Sequence, residues 1–260
     1  MLAKVFKDLG AGLGLYYVWI YQAYHDITAK YKRTVLGTFW IAGGMVVTSV
    51  SMSVIFGALF HMNLRQALPY IMAGILTFSL TSYIFYDGAE MFMTSGGIIK
   101  NHAYPFTFYA FHTLCKSFFL FLHNLVVYWL FMVIIGAFRI PHWTILLSLP
   151  LVLICLFFWG MLSGMVASRF RDMRFMLPYT GQMLSTLTPV FWRADTLHGA
   201  VLLAVRLNPM YDLIQLIRDP LLGQAPDASI WGLSLAYTGV GIVVWLIAFS
   251  LLRRRIPFWV

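Results

Sequence analysis

Residues 30–60 read KYKRTVLGTFWIAGGMVVTSVSMSVIFGALF: three cations within four positions, then no charged side chain as far as residue 60. About 20 consecutive apolar residues in a helix cross the roughly 30 Å hydrocarbon layer of a bilayer. The stretch is therefore predicted to span a membrane, its basic flank held on one side. Composition extends that reading to the whole chain. Of 260 residues, 61% are hydrophobic and 10% charged, against about 45–50% and about 25% in soluble domains, which leaves too little polar surface for a water-soluble domain. Mean hydropathy is +0.80, and no hydrophilic block separates residues 34 and 252. A single membrane domain over 1–260 follows.

Five segments approach spanning length: 34–60, 68–92, 105–137, 144–167 and 228–252. A sixth, 175–192 (FMLPYTGQMLSTLTPVFW), is shorter and holds two prolines but no charge. Accepting it predicts an all-α integral membrane protein with six transmembrane helices and both termini on one side. Cytoplasmic segments carry an excess of Lys and Arg. With the N-terminus cytoplasmic, Lys4, Lys7, Lys30, Lys32, Arg33, Lys100, Arg169, Arg171, Arg174 and Arg253–Arg255 fall inside, and Arg65, Arg139, Arg193, Arg206 and Arg218 outside. Dropping the sixth span weakens the bias. The formal charge of +9 does not predict nucleic-acid binding, because the cations gather at the ends of apolar runs rather than on one polar face. Cys115 and Cys155 lie within apolar runs, so no disulfide framework is indicated. The start, MLAKVFKDLGAGLGL, lacks the sustained apolar region of a cleaved signal peptide.

Two pieces are not expected to cross. Residues 15–29 place Tyr16, Ile20, Tyr24 and Ile27 on one stripe, as an amphipathic helix in the interface plane would; a packing helix facing water fits the same pattern. Residues 196–222 are broken by charge and proline, and read as two short extracytoplasmic re-entrant helices hinged at Asn208-Pro209.

Polar groups inside a bilayer face protein or water. Tyr179, Gln182, Thr186 and Pro189 share a stripe of the sixth segment, and Thr34, Gly37, Thr38, Gly44, Thr48, Ser49, Ser51 and Ser53 make a small, hydroxylated surface on the first. A polar conduit between these two spans is one reading; close helix packing through small residues is the other. Phe39 and Trp40, with Phe191 and Trp192, stand at the ends of these spans, where aromatic faces suit stacking against sugar rings better than passage of a small ion. Trp19, Trp143, Trp231 and Trp259 read as an interface belt. His112, Lys116 and His123 share a face of the third span; a proton relay and a snorkelling lysine both fit. No metal-ligand spacing occurs, and no carboxylates pair with a histidine as in a hydrolase, so neither a metal nor a catalytic residue is assigned.

The chain holds no phosphate-binding loop of the G-x-x-x-x-G-K-Ser/Thr type. It does hold a short inner link at 94–105, TSGGIIKNHAYP, of the kind that a separate ATPase grips. YKRTVLGTFW, SGGIIKNHAYP, SRFRDMR (168–174), TPVFW (188–192) and LNPMYDLIQLIRDPLLGQAP (207–226) come in that order over residues 16–260. In this order they resemble the permease subunits of ABC transporters that export O-antigen and capsular polysaccharides. The closing RRRIPFWV (253–260) is closer to the O-antigen branch. WIAGGMV (40–46) has glycines where the family more often has a mid-span proline.

The resemblance implies a homodimer in the bacterial inner membrane, joined to two ATP-binding cassette subunits. Those subunits would carry ATP and Mg, and this chain no cofactor. The cargo would be a polysaccharide linked through diphosphate to polyprenol, passing between the first span and the span at 175–192 (the fifth in chain order), with membrane lipid around it and no nucleic acid. The resemblance makes Ser95, Gly96, Gly97, Ile98, Ile99, Lys100, Asn101 and His102 the ATPase contact. It sets Arg169, Arg171, Asp172 and Arg174 beside it as a cytoplasmic network, and Asn208-Pro209 as a gate hinge. Lys30, Lys32 and Arg33 would meet the diphosphate at the entrance; membrane anchoring accounts for them equally. Two alternatives stay open: a polytopic enzyme acting on lipid-linked sugar, for which Asp87, Glu90, His102 and His112 are the available cluster, and a small-molecule efflux permease of the same superfamily.

Overall fold

The structure is a computed structural model that describes residues 2–32, 34, 35, 37–59, 61, 63–194 and 198–260. Among these residues all regular structure is helical. Two helices, α1 (Leu2–Gly14) and α2 (Tyr16–Tyr31), precede α3 (Phe39–Leu59). Then come α4 (Leu64–Thr81), α5 (Asp87–Thr94), α6 (Gly96–Asn101), α7 (Phe106–Ile134) and α8 (Ile145–Arg169). The chain ends with α9 (Met173–Leu187), α10 (Gly199–Arg206), α11 (Pro209–Leu221), α12 (Ala228–Leu252) and α13 (Ile256–Trp259). Five helical stretches, Phe39–Leu59, Leu64–Ile84, Phe106–Ile134, Ile145–Arg169 and Ala228–Trp259, are long and apolar enough to cross a bilayer, and α10 with α11 forms a further candidate bent by 75°. The chain is a helical membrane protein.

Contacts sort the bundle into two ends. At the basic end the Arg253 guanidinium donates to the Lys4 carbonyl at 2.8 Å, the Arg169 guanidinium lies 5.7 Å from the Trp259 ring centre, and Gly96 packs beside Val260. At the other end Phe56 stacks on Phe191 at 6.0 Å, Tyr70 donates to the Trp192 carbonyl at 3.2 Å, and the His142 amide donates to the Pro220 carbonyl at 2.8 Å. The hinge and the far end of the α10–α11 pair are tied to this second end: Asn208 bonds Thr188, and Arg139 donates to the Leu222 carbonyl. Gly223 closes α11 with a left-handed φ of 79°, its amide donating to Pro220.

Two expectations are corrected, and one helix was not anticipated. The apolar run 68–92 is not one helix: α4 starts at Leu64, tightens into a 3-10 turn at Ser82–Ile84 and breaks before α5. Ser79, Thr81 and Ser82 each donate to the carbonyl three residues back, at 2.7, 3.3 and 3.1 Å, competing with the helical ladder. Tyr86 then leaves helical space at φ −114°, ψ −92°. The run 175–192 is helical only as far as Leu187, the end of the 15-residue α9, which is roughly 22 Å long at 1.5 Å per residue. Pro189 disfavours the helical conformation at Thr188, which is extended at ψ 141°. Finally, the N-terminus folds as α1. Its Asp8 receives the Thr107 amide at 3.1 Å and the Thr107 hydroxyl at 2.9 Å, so a carboxylate from α1 caps the otherwise open start of α7.

Helix α2 approximates the predicted 15–29 helix. Ala23 is buried and Trp19 stacks on Phe111 of α7 at 5.5 Å, while Tyr16, Ile20 and Tyr24 stay exposed. The core lies around α7, α8 and α12, where Trp245 stacks on Phe249 at 5.2 Å and meets Phe158 at 5.0 Å. Helix α3 runs without a break through Gly43 and Gly44.

Candidate functional site

The first-span hydroxyls divide between two faces. Ser49 and Ser53 are buried, the Ser53 hydroxyl donating to the Ser49 carbonyl at 2.6 Å. Thr48 and Ser51 are exposed together with Phe39, Trp40, Gly44 and Val47. On α9, Tyr179, Gln182 and Thr186 are exposed beside Phe175, Met176 and Met183. The single hydroxylated surface expected on the first span is thus half packing and half open stripe.

The two open stripes fall at matching positions along their own helices. Thr48 stands nine residues into α3 and Gln182 nine into α9, about 13 Å along each helix; Ser51 and Thr186 follow about one turn further. Their far ends meet through the Phe56–Phe191 stack. Phe191 and Trp192 are not open lining: both are half-buried, and the Trp192 indole donates to the Thr186 carbonyl at 3.3 Å. Phe39 sets its ring 5.4 Å from that of His123.

At the basic end an open groove of about 710 Å³ separates the end of α2 from the start of α3. Tyr24, His25, Thr28, Lys32, Thr34 and Phe39 line it, and Gly37 turns its floor with a left-handed φ of 54°. Lys30 lies beside it, its ammonium 5.7 Å from the Tyr31 ring centre. Arg33 lies outside the described residues. The segment Ser95–His102 forms α6 and its flanks; Gly97, Ile98, Lys100, Asn101 and His102 are exposed, while Ile99 packs toward the core. Asn101 closes the helix by donating to the Gly97 carbonyl at 2.8 Å. Arg169, Arg171, Asp172 and Arg174 make no ion pair with one another among the described residues. Arg169 stacks on Trp259 and Phe170, and Arg174 on Phe175 at 4.9 Å. Of these four, Arg169 and Arg174 make cation–ring contacts.

The hinge has a local cause. The Asn208 side chain receives the Met210 amide on Oδ1 at 3.0 Å, an N-cap followed by proline at the first helical position. Its amide nitrogen donates to the Thr188 hydroxyl at 2.8 Å, clipping the bend to the end of α9. A second clip was not expected from the sequence. Arg218 of α11 is fully buried, donates to the Pro189 carbonyl at 2.6 Å and to Gln215 at 2.9 and 3.0 Å, and lies 4.1 Å from the Tyr70 ring centre. Carbonyl dipoles and a ring face surround this cation, satisfying it without a carboxylate among the described residues.

Helix α7 makes one histidine–carboxylate contact and one ion pair to different elements. His112 Nε2 lies 3.1 Å from Asp26 of α2, and Lys116 Nζ 3.0 Å from Asp87 of α5, which also accepts from Ser117 at 3.2 Å. Lys116 therefore pairs within the bundle rather than snorkelling. His123 does not join this set. No hydrogen bond or ion pair links Asp87, Glu90, His102 and His112 to one another. Among the described residues no three His, Cys, Asp or Glu side chains converge as metal ligands would.

The fold and these faces define a polytopic α-helical membrane protein with uncovered polar and aromatic surfaces on α3 and α9. Neither protein-family models nor curated proteins match the chain.

Proposed function

We propose that the chain is the channel-forming permease subunit of an ATP-driven exporter that moves polyprenyl-diphosphate-linked polysaccharide, O-antigen rather than capsule, out of the cytoplasm. One observation carries the reading: the matched open stripes of α3 and α9, with Thr48 and Ser51 on one and Tyr179, Gln182 and Thr186 on the other. An amide facing hydrocarbon without a partner costs about 4–8 kcal/mol, so Gln182 calls for water or protein opposite it. A second copy, presenting the same stripes about a two-fold axis, would enclose a wet passage with rings at its mouth. In this reading α9 and its extended continuation make the sixth crossing, both termini are cytoplasmic, α2 lies in the interface plane, and α10–α11 is the outer gate. The exposed α6 would dock two copies of a separate ATP-binding cassette subunit, which brings ATP and Mg. The groove beside Lys30 and Lys32 would admit the diphosphate.

The test is co-purification with the ATP-binding cassette protein encoded nearest to it, followed by ATP hydrolysis in lipid. Two copies of each chain, and hydrolysis that rises with lipid-linked polysaccharide, are expected. Failure to associate, or turnover of lipid-linked sugar by the isolated chain, would sink the proposal in favour of a membrane enzyme. Hydrolysis raised by small amphiphiles and unmoved by polysaccharide would make it an efflux permease.

A further inference from the structure

A second concavity lies under the α10–α11 bend, away from the open stripes. Its volume is about 270 Å³, and its walls come from Phe85 after α4, Trp159 of α8, Leu184 of α9, Leu213 of α11 and Tyr237 of α12. The polar side chains of the wall are already committed elsewhere. The Trp159 indole donates to the Tyr237 carbonyl at 3.1 Å, and the Tyr237 hydroxyl to the Leu207 carbonyl at 3.1 Å. Asn208 spends its amide nitrogen on Thr188 and its oxygen on Met210. The cavity therefore offers hydrocarbon and ring faces, with no strong donor or acceptor left for water or sugar. A cavity of that chemistry stays dry, and even one of ~150 Å³ takes up benzene; this one is larger.

We propose that this cavity is a lipid site holding one acyl chain of a membrane phospholipid. Position and access select that occupant. The walls belong to helices that cross or enter the bilayer, and Phe85, Trp159 and Leu184 are only half-buried, leaving a window between α9 and its neighbours. Phospholipid tails are the apolar molecules present there at the highest concentration. A methyl-branched polyprenyl chain is stiffer and wider than a linear tail. The chain end would press on Pro209 and Met210 at the 75° bend, so the bound lipid supports the conformation of the re-entrant pair. The site requires no transport activity and stands apart from the proposed export function.

The intact protein in nanodiscs of phosphatidylglycerol carrying a mid-chain diazirine tests the site. Irradiation should label peptides containing Trp159, Leu184 and 209–213. Leu184→Trp, which fills the window, should abolish that labelling and leave the label at Leu146 and Leu147, both exposed on α8. If L184W aggregates, Cys155→Phe fills the same space from the opposite wall. A native mass spectrum of the unmodified protein should show one phospholipid retained through detergent exchange, a readout that needs no variant. Absence of the retained lipid, absence of cavity labelling, or labelling unchanged in the filled variants overturns the proposal. So does preferential labelling by a photoactivatable polyprenyl phosphate, which would make the cavity a carrier site.

Discussion

Gly164→Ala tests the broken second span directly. Gly160 and Gly164 lie one turn apart on α8, and α5 approaches them closely. A Cβ at Gly164 would stand 2.8 Å from the Gly88 carbonyl oxygen and 3.1 Å from Met91 Cγ, and one at Gly88 would stand 3.1 Å from the Gly160 Cα. Ordinary contact begins at 3.4 Å, so the two helices must part by roughly 0.6 Å, and a backbone oxygen cannot rotate aside. Overpacking of this kind costs about 1–3 kcal/mol, while the better helix propensity of alanine returns up to about 1 kcal/mol. The net loss is about 0–2 kcal/mol, or a fall of up to roughly 8 °C at about 2–4 °C per kcal/mol for a chain of this size. Gly239 of α12 is the control, since a Cβ there meets nothing within 4 Å; Gly239→Ala should leave the midpoint unchanged or raised. The assay is the fraction surviving as a monodisperse peak after heating in detergent. A G164A protein that melts above the unmodified one, with G239A behaving as stated, would refute the α5–α8 contact and restore residues 68–92 as one straight helix.

Three further outcomes follow from single contacts. Asp8→Ala removes the carboxylate that caps α7 and should destabilise by about 1 kcal/mol, with hydrogen exchange rising first at Phe106–Phe108; unchanged exchange there would mean that α1 does not dock on α7. Asn208→Ala removes both the cap of α11 and the Thr188 bond, and should cost about 1–3 kcal/mol, read as faster proteolysis across 198–212 in detergent; an unchanged cleavage rate would count against the clip. Lys116→Met removes the cation from Asp87, which is partly exposed and keeps its bond from Ser117, and should cost about 1 kcal/mol or less. The double change Lys116→Met with Asp87→Leu should recover most of the lost thermal stability, and additive losses would argue against the pair.

The long apolar runs were legible because nothing interrupts them. Helices α7, α8 and α12 lie within three residues of 105–137, 144–167 and 228–252. The second span was not, because hydropathy averages over the serines and threonines at 79–82 that undo its helix. The same blindness set the sixth span too long, although Pro189 marks its true end. Asn208-Pro209 was readable since cap and proline act on their own backbone. The carboxylate contacts were not: Asp26 and Asp87 reach α7 from helices far apart in sequence, and nothing near His112 or Lys116 identifies them. Asp8 is the same case, a surface acid by its neighbours and a helix cap only after folding.

What the sequence could not divide, the fold does. Serines 49 and 53 on α3 are covered, while Thr48 and Ser51, one residue before Ser49 and two residues after it, are open. A lone helix with small residues all round would suit packing or lining equally; here packing against α4 has consumed one face and left the other. α9 carries an open polar face of its own, and the Phe56–Phe191 stack ties the end of α3 to the segment that follows α9. Whatever covers these stripes must satisfy an amide and several hydroxyls while touching tyrosine and tryptophan faces. Hydrocarbon satisfies none of the polar groups, and a dry apolar partner would leave Gln182 without a hydrogen-bond partner. Water bounded by a second set of the same stripes meets every requirement with no residue that the chain does not already supply. That is why the export reading rests on α3 and α9 rather than on the basic segments, which membrane anchoring explains as well.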